Sequence, residues 1–248
     1  MKPLILAGLT LALTVTSERR SLAWESPAPD VVLYCTPALE FPLREVAAQY
    51  RRESHVEIHI FVQSPDGQAG LIRHRARADV VVADTETINV LKGEHLVRPE
   101  SITVLGDDPF VLIRKMGSVG APETTAAQLV STHATVLPDP TTAATFDGAA
   151  VLRKSLPAAT FLRLIGVANT PTVIAVVRGD GQLLGVVNRT EAGNEGVTEA
   201  APLAAAATPI SGALVTNGQS RNAGDFLKFI AGPEGRAILK SAGLEVIS

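Results

Sequence analysis

The chain has 248 residues and a mass of 26.0 kDa, with 46% hydrophobic and 19% charged residues. That composition excludes a disordered polyelectrolyte and supplies core for one large domain or two small ones. Lys plus Arg is 22 against 25 for Asp plus Glu, a net charge of −3 with 4% aromatics, so neither the basic surplus nor the stacking platforms of a nucleic-acid binder are present.

Met1-Lys2 is followed by PLILAGLTLALTV, an apolar run of thirteen residues, shorter than the roughly 20 needed to span a bilayer. A basic start, a short apolar run and then small residues predict a secretory signal over residues 1–23, cut after Ala23 or alternatively after Ser17. Cleavage after Ala23 removes three basic residues and one acidic residue and moves the net charge to −5. An uncleaved anchor helix is the other reading.

Val31–Pro37 reads as a buried strand. FPLREVAAQYRRES follows with helical spacing at Leu43, Val46, Ala47 and Tyr50. Val56–Val62 is a second strand, SPDGQAGLIRHRA a turn and a short helix, and Ala78–Ala83 a third strand. Strand, helix, strand, helix, strand predicts a parallel sheet with helices on both faces. The pattern restarts after Pro109: a strand at Phe110–Lys115, a helix at Thr124–Thr132, a strand and loop at ATVLPDPTT, and a helix at Thr145–Leu156. Thr170–Arg178 fits a helix or a strand. Leu183–Val187 and Gly212–Thr216 are strands, and Ala223–Ile230 and Gly232–Gly243 are helices with Pro233 in a first turn. Glu191–Thr208, rich in Ala, Gly and Glu, reads as an irregular surface excursion.

The order predicts an α/β protein of two lobes, 30–107 plus 212–248 and 108–211, joined by crossings near Gly106–Pro109 and Thr208–Gly212. Ligands of open α/β sheets bind in the crevice at the strand ends.

Four stretches carry a family resemblance: VVLYCTPALEFPLREVAAQYRRES, RARADVVVADTETINVLKGEHLVRPES, VLPDPTTAATFDGAAVLRKSL and NAGDFLKFIAGPEGRAIL, with GQLLGVVNRTEA at a strand that ends in a binding loop. From about Val31 to the C-terminus the chain resembles the extracytoplasmic substrate-binding proteins of molybdate-type ABC importers, of the type II periplasmic binding fold. The resemblance implies a monomer in the periplasm that closes on a small tetrahedral oxyanion and meets the importer's membrane subunits. Uncharged donors at helix N-termini hold the anion in that family. Here the family's two serines fall on Ala38 and at Pro65-Asp66, its valine on Ala143 and its tyrosine on Asn188.

The expected ligand-binding residues are therefore Thr36, Ala38, Ser64, Asp66, Thr141, Thr142, Ala143 and Asn188. Thr36 either donates its hydroxyl to the ligand or caps the next helix. Asp66 either caps its helix or faces the cleft, where its carboxylate would favour a cation, a metal or a hydroxyl-rich neutral molecule over an anion. Cys35 is a small buried hydrophobe or a soft metal ligand. His55, Glu57 and His59 lie on one side of the second strand, a polar face or a partial chelate. No GxSxG, HExxH, Walker loop or strand-linked GxGxxG is present. The expectation is a binder without cofactor, catalytic residue or nucleic-acid partner, delivering its solute to an importer. A stand-alone metal or solute chaperone of the same fold is the alternative.

Overall fold

The computed structural model describes residues 30–118, 125–139, 141, 147–193 and 196–246. The signal segment 1–23 and the site candidates Thr142 and Ala143 lie outside them. Among the described residues there are eight strands: β1 (Val31–Cys35), β2 (Ile58–Val62), β3 (Val80–Asp84), β4 (Thr103–Lys115), β5 (Ala134–Pro138), β6 (Arg163–Val167), β7 (Leu183–Asn188) and β8 (Val197–Leu214). The helices are α1 (Glu40–Ser54), α2 (Pro65–Arg73), α3 (Thr85–Gly93), α4 (Ala126–Thr132), α5 (Gly148–Ser155), α6 (Thr170–Gly179), α7 (Ala223–Ala231) and α8 (Pro233–Ser241).

All eight strands share one sheet, in the order β2-β1-β3-β8-β4-β7-β5-β6. Two parallel triplets, β2-β1-β3 and β7-β5-β6, flank an antiparallel pair formed by the long strands β4 and β8. The mixed α/β class agrees with the sequence reading, and both expected crossings fall within the long pair, where Asp107 stands opposite Pro209 and Asp108 opposite Thr208. The pairing is irregular there, with register shifts between Val104 and Gly106 and between Pro109 and Val111. Gly106 has φ +154°, and a Cβ on it would lie 2.5 Å from the Glu245 carbonyl oxygen. Only glycine allows the C-terminal segment to approach β4 so closely.

Four apolar clusters sandwich this sheet. In β1 the alternation of side chains sends Val31, Leu33 and Cys35 to one face, where they pack with Leu43 and Val46 of α1 and with Phe226 and Ile230 of α7. Val32 and Tyr34 point to the other face, against Ile72 of α2 and Ile88 and Leu91 of α3. The second triplet repeats the scheme, with Leu129 of α4 and Leu152 of α5 on one face and Val173 and Val177 of α6 on the other. Each fully buried Leu, Val or Phe contributes about 1.5–3 kcal/mol. Beside β3, the buried carboxylate of Asp79 accepts from the backbone N–H groups of Val32 (2.9 Å), Gln219 (2.6 Å) and Ser220 (2.8 Å), pinning the loop before α7 to the start of β1.

Several local expectations change. Residues 197–208 are part of β8 rather than an irregular excursion, because β4 pairs along their length. Thr170–Gly179 is helix, with Asn169 as its cap and Pro171 in its first turn. His55 is the left-handed C-cap of α1 (φ 61°), so it does not share a strand face with His59. The helix expected at Thr145–Leu156 begins at Gly148, with Asp147 as its cap.

Candidate functional site

A cavity of about 840 Å³ lies at the carboxyl ends of β1, β2, β3, β6 and β7, against the β4–β8 pair. This is where chain reversals of an α/β sheet leave helix N-termini and loop side chains around a crevice. Five of the eight expected site residues line it: Thr36, Ala38, Ser64, Asp66 and Asn188. Thr141 is not among the lining residues; its N–H and hydroxyl both donate to Asp139 Oδ1, at 2.9 and 2.8 Å. The sequence reading missed Asp84, Thr85, Glu86, Asp108, Asn169, Thr170, Glu191 and Thr208, which also line the cavity. Asp84-Thr85 and Asn169-Thr170-Pro171 carry a helix-start signature that could have revealed them; Asp108 and Glu191 carry none.

Among the described residues, α2, α3 and α6 present their N-termini here, and each is capped by its own sequence. Ser64 Oγ accepts from the Gly67 N–H (3.2 Å), so of the two readings of Asp66 the capping one does not hold; Asp66 is exposed in the first turn of α2 and lines the cavity. Asp84 accepts from both the N–H and the hydroxyl of Thr87, each at 2.8 Å. Asn169 Oδ1 accepts from the N–H of Thr172 at 3.0 Å and from its hydroxyl at 2.8 Å. Thr36 makes no side-chain capping bond at the 3-10 turn Pro37–Leu39. Its hydroxyl stands at the cavity wall without that structural duty.

On the opposite wall Asp108 and Glu191 are buried, at 1% and 8% exposure. Asp108 receives the Thr190 N–H at 3.2 Å and the Thr190 hydroxyl at 2.5 Å. Asn188 holds the crossing together, its side-chain amide donating to the Asp108 carbonyl oxygen and to Thr208 Oγ1, both at 3.1 Å, while its backbone N–H meets Glu191 Oε2 at 3.3 Å. These bonds occupy both amide protons of Asn188. Burial pushes the Asp108 carboxyl up to about 6, against the pull of the Thr190 bonds and the Arg189 charge. Burial, and then the Asp108 charge, push Glu191 up to about 8.

The electrostatic character of the cavity follows. Asp66, Asp84, Glu86, Asp108 and Glu191 line it, and among the described lining residues none is Lys or Arg. A helix N-terminus offers an anion about 0.3–1 kcal/mol, up to about 2 when partly buried. An ionised carboxylate about 6 Å away at an effective dielectric of about 20 opposes it by about 3 kcal/mol. The same charge favours a cation.

Cys35 packs in the apolar cluster beneath α1 rather than at the cavity, and its thiol is pushed up to about 12 by burial and by the Glu40 charge. A thiol so placed is almost wholly protonated at neutral pH and is a poor nucleophile or soft-metal ligand. Ellman's reagent is expected to report under one tenth of a thiol per chain in the native protein and one full thiol in 6 M urea; rapid native reaction would show that the cluster opens. Among the described residues no group of three His, Cys, Asp or Glu side chains is placed to hold a metal ion.

The model of the bacterial extracellular solute-binding protein family matches residues 31–245. The chain belongs to that family. No curated protein matches it in sequence. Among solved structures it is similar to a substrate-binding domain assigned to a molybdenum ABC transporter of Clostridium difficile, at 14% identity and TM-score 0.70 over 88% of this chain and 99% of that one. It is similar to the periplasmic molybdate-binding protein of Azotobacter vinelandii, at 17% identity and TM-score 0.69 over 88% and 100%. It also resembles the iron-bound HitA of Pseudomonas aeruginosa, at 15% identity and TM-score 0.58 over 88% of each chain. At these identities the likeness is one of fold. The family is one of extracellular solute-binding proteins. Among the described residues no helix is long and apolar enough to cross a membrane.

Proposed function

We propose that this solute-binding protein works in the periplasm as a monomer, capturing one small solute in the cavity at the strand ends and passing it to the membrane subunits of an ABC importer. The observation that carries this reading is the cavity itself, which is walled by both parallel triplets and by the long strand pair between them. Its two walls belong to lobes 30–107 plus 212–248 and 108–211. Closure occurs by bending of β4 and β8 at their register shifts, where the ladder of hydrogen bonds is already interrupted. Closing sheds water and strengthens every polar contact to the solute.

The lining favours a cationic or neutral hydrogen-bonding solute, which the Thr36, Thr85, Thr170 and Thr208 hydroxyls would orient. A second reading, a molybdate-like oxyanion, has in its favour the three helix N-termini and the molybdate-binding structural neighbours. It requires protons on the carboxylates that such an anion would approach.

Thermal unfolding in the presence of choline, putrescine, ferric ion, molybdate or phosphate tests the reading. A ligand present at 100 times its Kd stabilises by about 2.7 kcal/mol, which raises Tm by about 5–10 °C for a chain of this size. Ala38→Trp, which fills the cavity, is expected to abolish the rise. An unchanged rise in that variant would place the binding elsewhere and end the proposal.

A further inference from the structure

Two hydroxyl groups of the cavity wall are pointed inward by partners that stand behind them. Thr85 opens α3 and lines the cavity, and its Oγ1 lies 2.8 Å from the Ser211 hydroxyl. Ser211 is a fully buried residue of β8, paired with Ala83 of β3 on one side and Val104 of β4 on the other. Among the described residues its hydroxyl has no other partner. A buried hydroxyl proton left without an acceptor costs about 1–3 kcal/mol, so Ser211 donates to Thr85. The Thr85 proton is then left to point into the cavity. Thr208, also on β8, is placed alike: its Oγ1 accepts from the Asn188 amide at 3.1 Å, and its own proton has no acceptor among the described residues. A third hydroxyl, that of Thr170 in the first turn of α6, lines the cavity without a hydrogen-bond partner among the described residues, although the residue is only 4% exposed.

These donors stand beside acceptors. Asp84 precedes Thr85, and each of its carboxylate oxygens accepts one bond from Thr87, at 2.8 Å, and keeps a further lone pair. A solute that satisfies this wall has to accept from the threonines and donate to a carboxylate. An ammonium or guanidinium ion carries donors only and leaves the Thr85 and Thr208 protons without acceptors. An oxyanion carries acceptors only and meets Asp66, Asp84 and Glu86, with no lining Lys or Arg among the described residues to offset them. A hydroxyl group gives and accepts at one atom.

We propose that the cavity takes a small neutral polyhydroxy compound, with Thr85, Thr170 and Thr208 as donors, Asp84 as an acceptor, and Ser211 as the positioning residue that fixes the direction of the Thr85 proton. The proposal rests on the solute-capture reading above and adds the class of solute. The donors come from α3 on the first triplet, from β8 in the central pair and from α6 on the second triplet, so a string of hydroxyls is gripped from three sides. A cavity of about 840 Å³ has room for a hexitol. Ser211 does not touch the solute; it takes from Thr85 the choice between giving and accepting.

Calorimetric titration of the purified protein with D-mannitol, myo-inositol, D-glucose, choline and molybdate tests it. At least one of the three polyhydroxy probes is expected to bind, with an affinity that added sodium chloride leaves unchanged, while choline and molybdate give no heat. Thr85→Val and Thr208→Val are each expected to weaken that binding by about threefold to tenfold, the worth of one neutral hydrogen bond. Ser211→Ala is expected to weaken it by about threefold alone and not at all when added to Thr85→Val, because it acts through that one hydroxyl. Circular dichroism confirms that each variant is folded. A loss from Ser211→Ala that adds in full to that of Thr85→Val overturns the positioning role, and unchanged affinity in folded Thr85→Val and Thr208→Val overturns the donor assignment. The choice among the five probes by the unaltered protein needs no variant and decides the class of solute if a variant fails to fold. Choline or molybdate bound as tightly as the best polyhydroxy probe, or bound alone, overturns the class and leaves solute capture standing, whereas silence from all five probes removes both.

Discussion

Raising the pH from 5 to 9 is expected to cost the empty protein about 3 kcal/mol of stability, and Glu191→Gln to remove most of that loss. Glu191 is pushed from an ordinary value near 4.5 up to about 8, and Asp108 from near 3.8 up to about 6, with burial the leading cause for both. Between the ordinary and the raised values the native state holds protons that the unfolded chain has released. The stabilisation is therefore complete below about pH 4 and is lost as the pH rises through 6 to 8. A tenfold change in proton affinity corresponds to about 1.4 kcal/mol, so Glu191 alone sets an upper bound of roughly 5 kcal/mol, which water entering the cavity reduces. Glutamine keeps an acceptor for the Asn188 N–H and carries no charge, so at pH 8.5 the variant should be the more stable protein by about 2–3 kcal/mol. Urea denaturation midpoints at pH 5, 7 and 9 provide the check. An equally steep decline in Glu191→Gln would trace the pH dependence to other groups.

Asp79→Ala should destabilise the protein by about 4 kcal/mol at pH 7, the largest effect expected of a polar residue remote from the cavity. Its carboxylate is the acceptor for three backbone N–H groups, from Val32, Gln219 and Ser220, and is only 1% exposed as a residue. Each donor left buried without a partner costs about 1–3 kcal/mol, and relaxation of the 219–220 loop recovers part of the sum. Asp79→Asn retains one carbonyl oxygen and presents an NH2 group toward N–H donors, so an intermediate loss of about 2 kcal/mol is expected. The urea midpoint should fall in both variants with an unchanged slope. A loss below 1 kcal/mol in Asp79→Ala would mean that water satisfies the three donors equally well.

Much of the architecture was legible where burial and periodicity agree. Val31–Cys35 and Val80–Ala83 are apolar on both faces, the pattern of strands covered by helices on two sides, and both fall in the parallel triplet. The Leu43, Val46, Ala47 and Tyr50 spacing reports the face of α1 that packs on the sheet. The stretch AAPLAAAATPI was not legible, because its small side chains show neither alternation nor β-branching; pairing with β4 makes it a strand. Thr172-Val173-Ile174 suits either periodicity, and the Asn169 cap with Pro171 settles it as helix. Three of the loops expected from sequence position, those after β1, β2 and β7, line the cavity. Position alone could not find the charge of the cavity, since Asp108 is an ordinary residue of a long strand until β8 and the 189–191 turn bury it. Nor could it tell that Asn188 spends its amide protons on the crossing.

The place of β8 in the sheet has a consequence for how the molecule is made. This penultimate stretch of chain lies between β3 and β4, and the helices that cover the first triplet, α7 and α8, come after it. A nascent chain that ends before residue 197 can form the triplet β2-β1-β3 with α1, α2 and α3, but it lacks the neighbouring strand β8 and the helices α7 and α8 that complete the same core. Contacts of such long sequence separation form late and together. The first core is accordingly closed by chain made after the whole of the second triplet, so the two halves of the sheet are completed together.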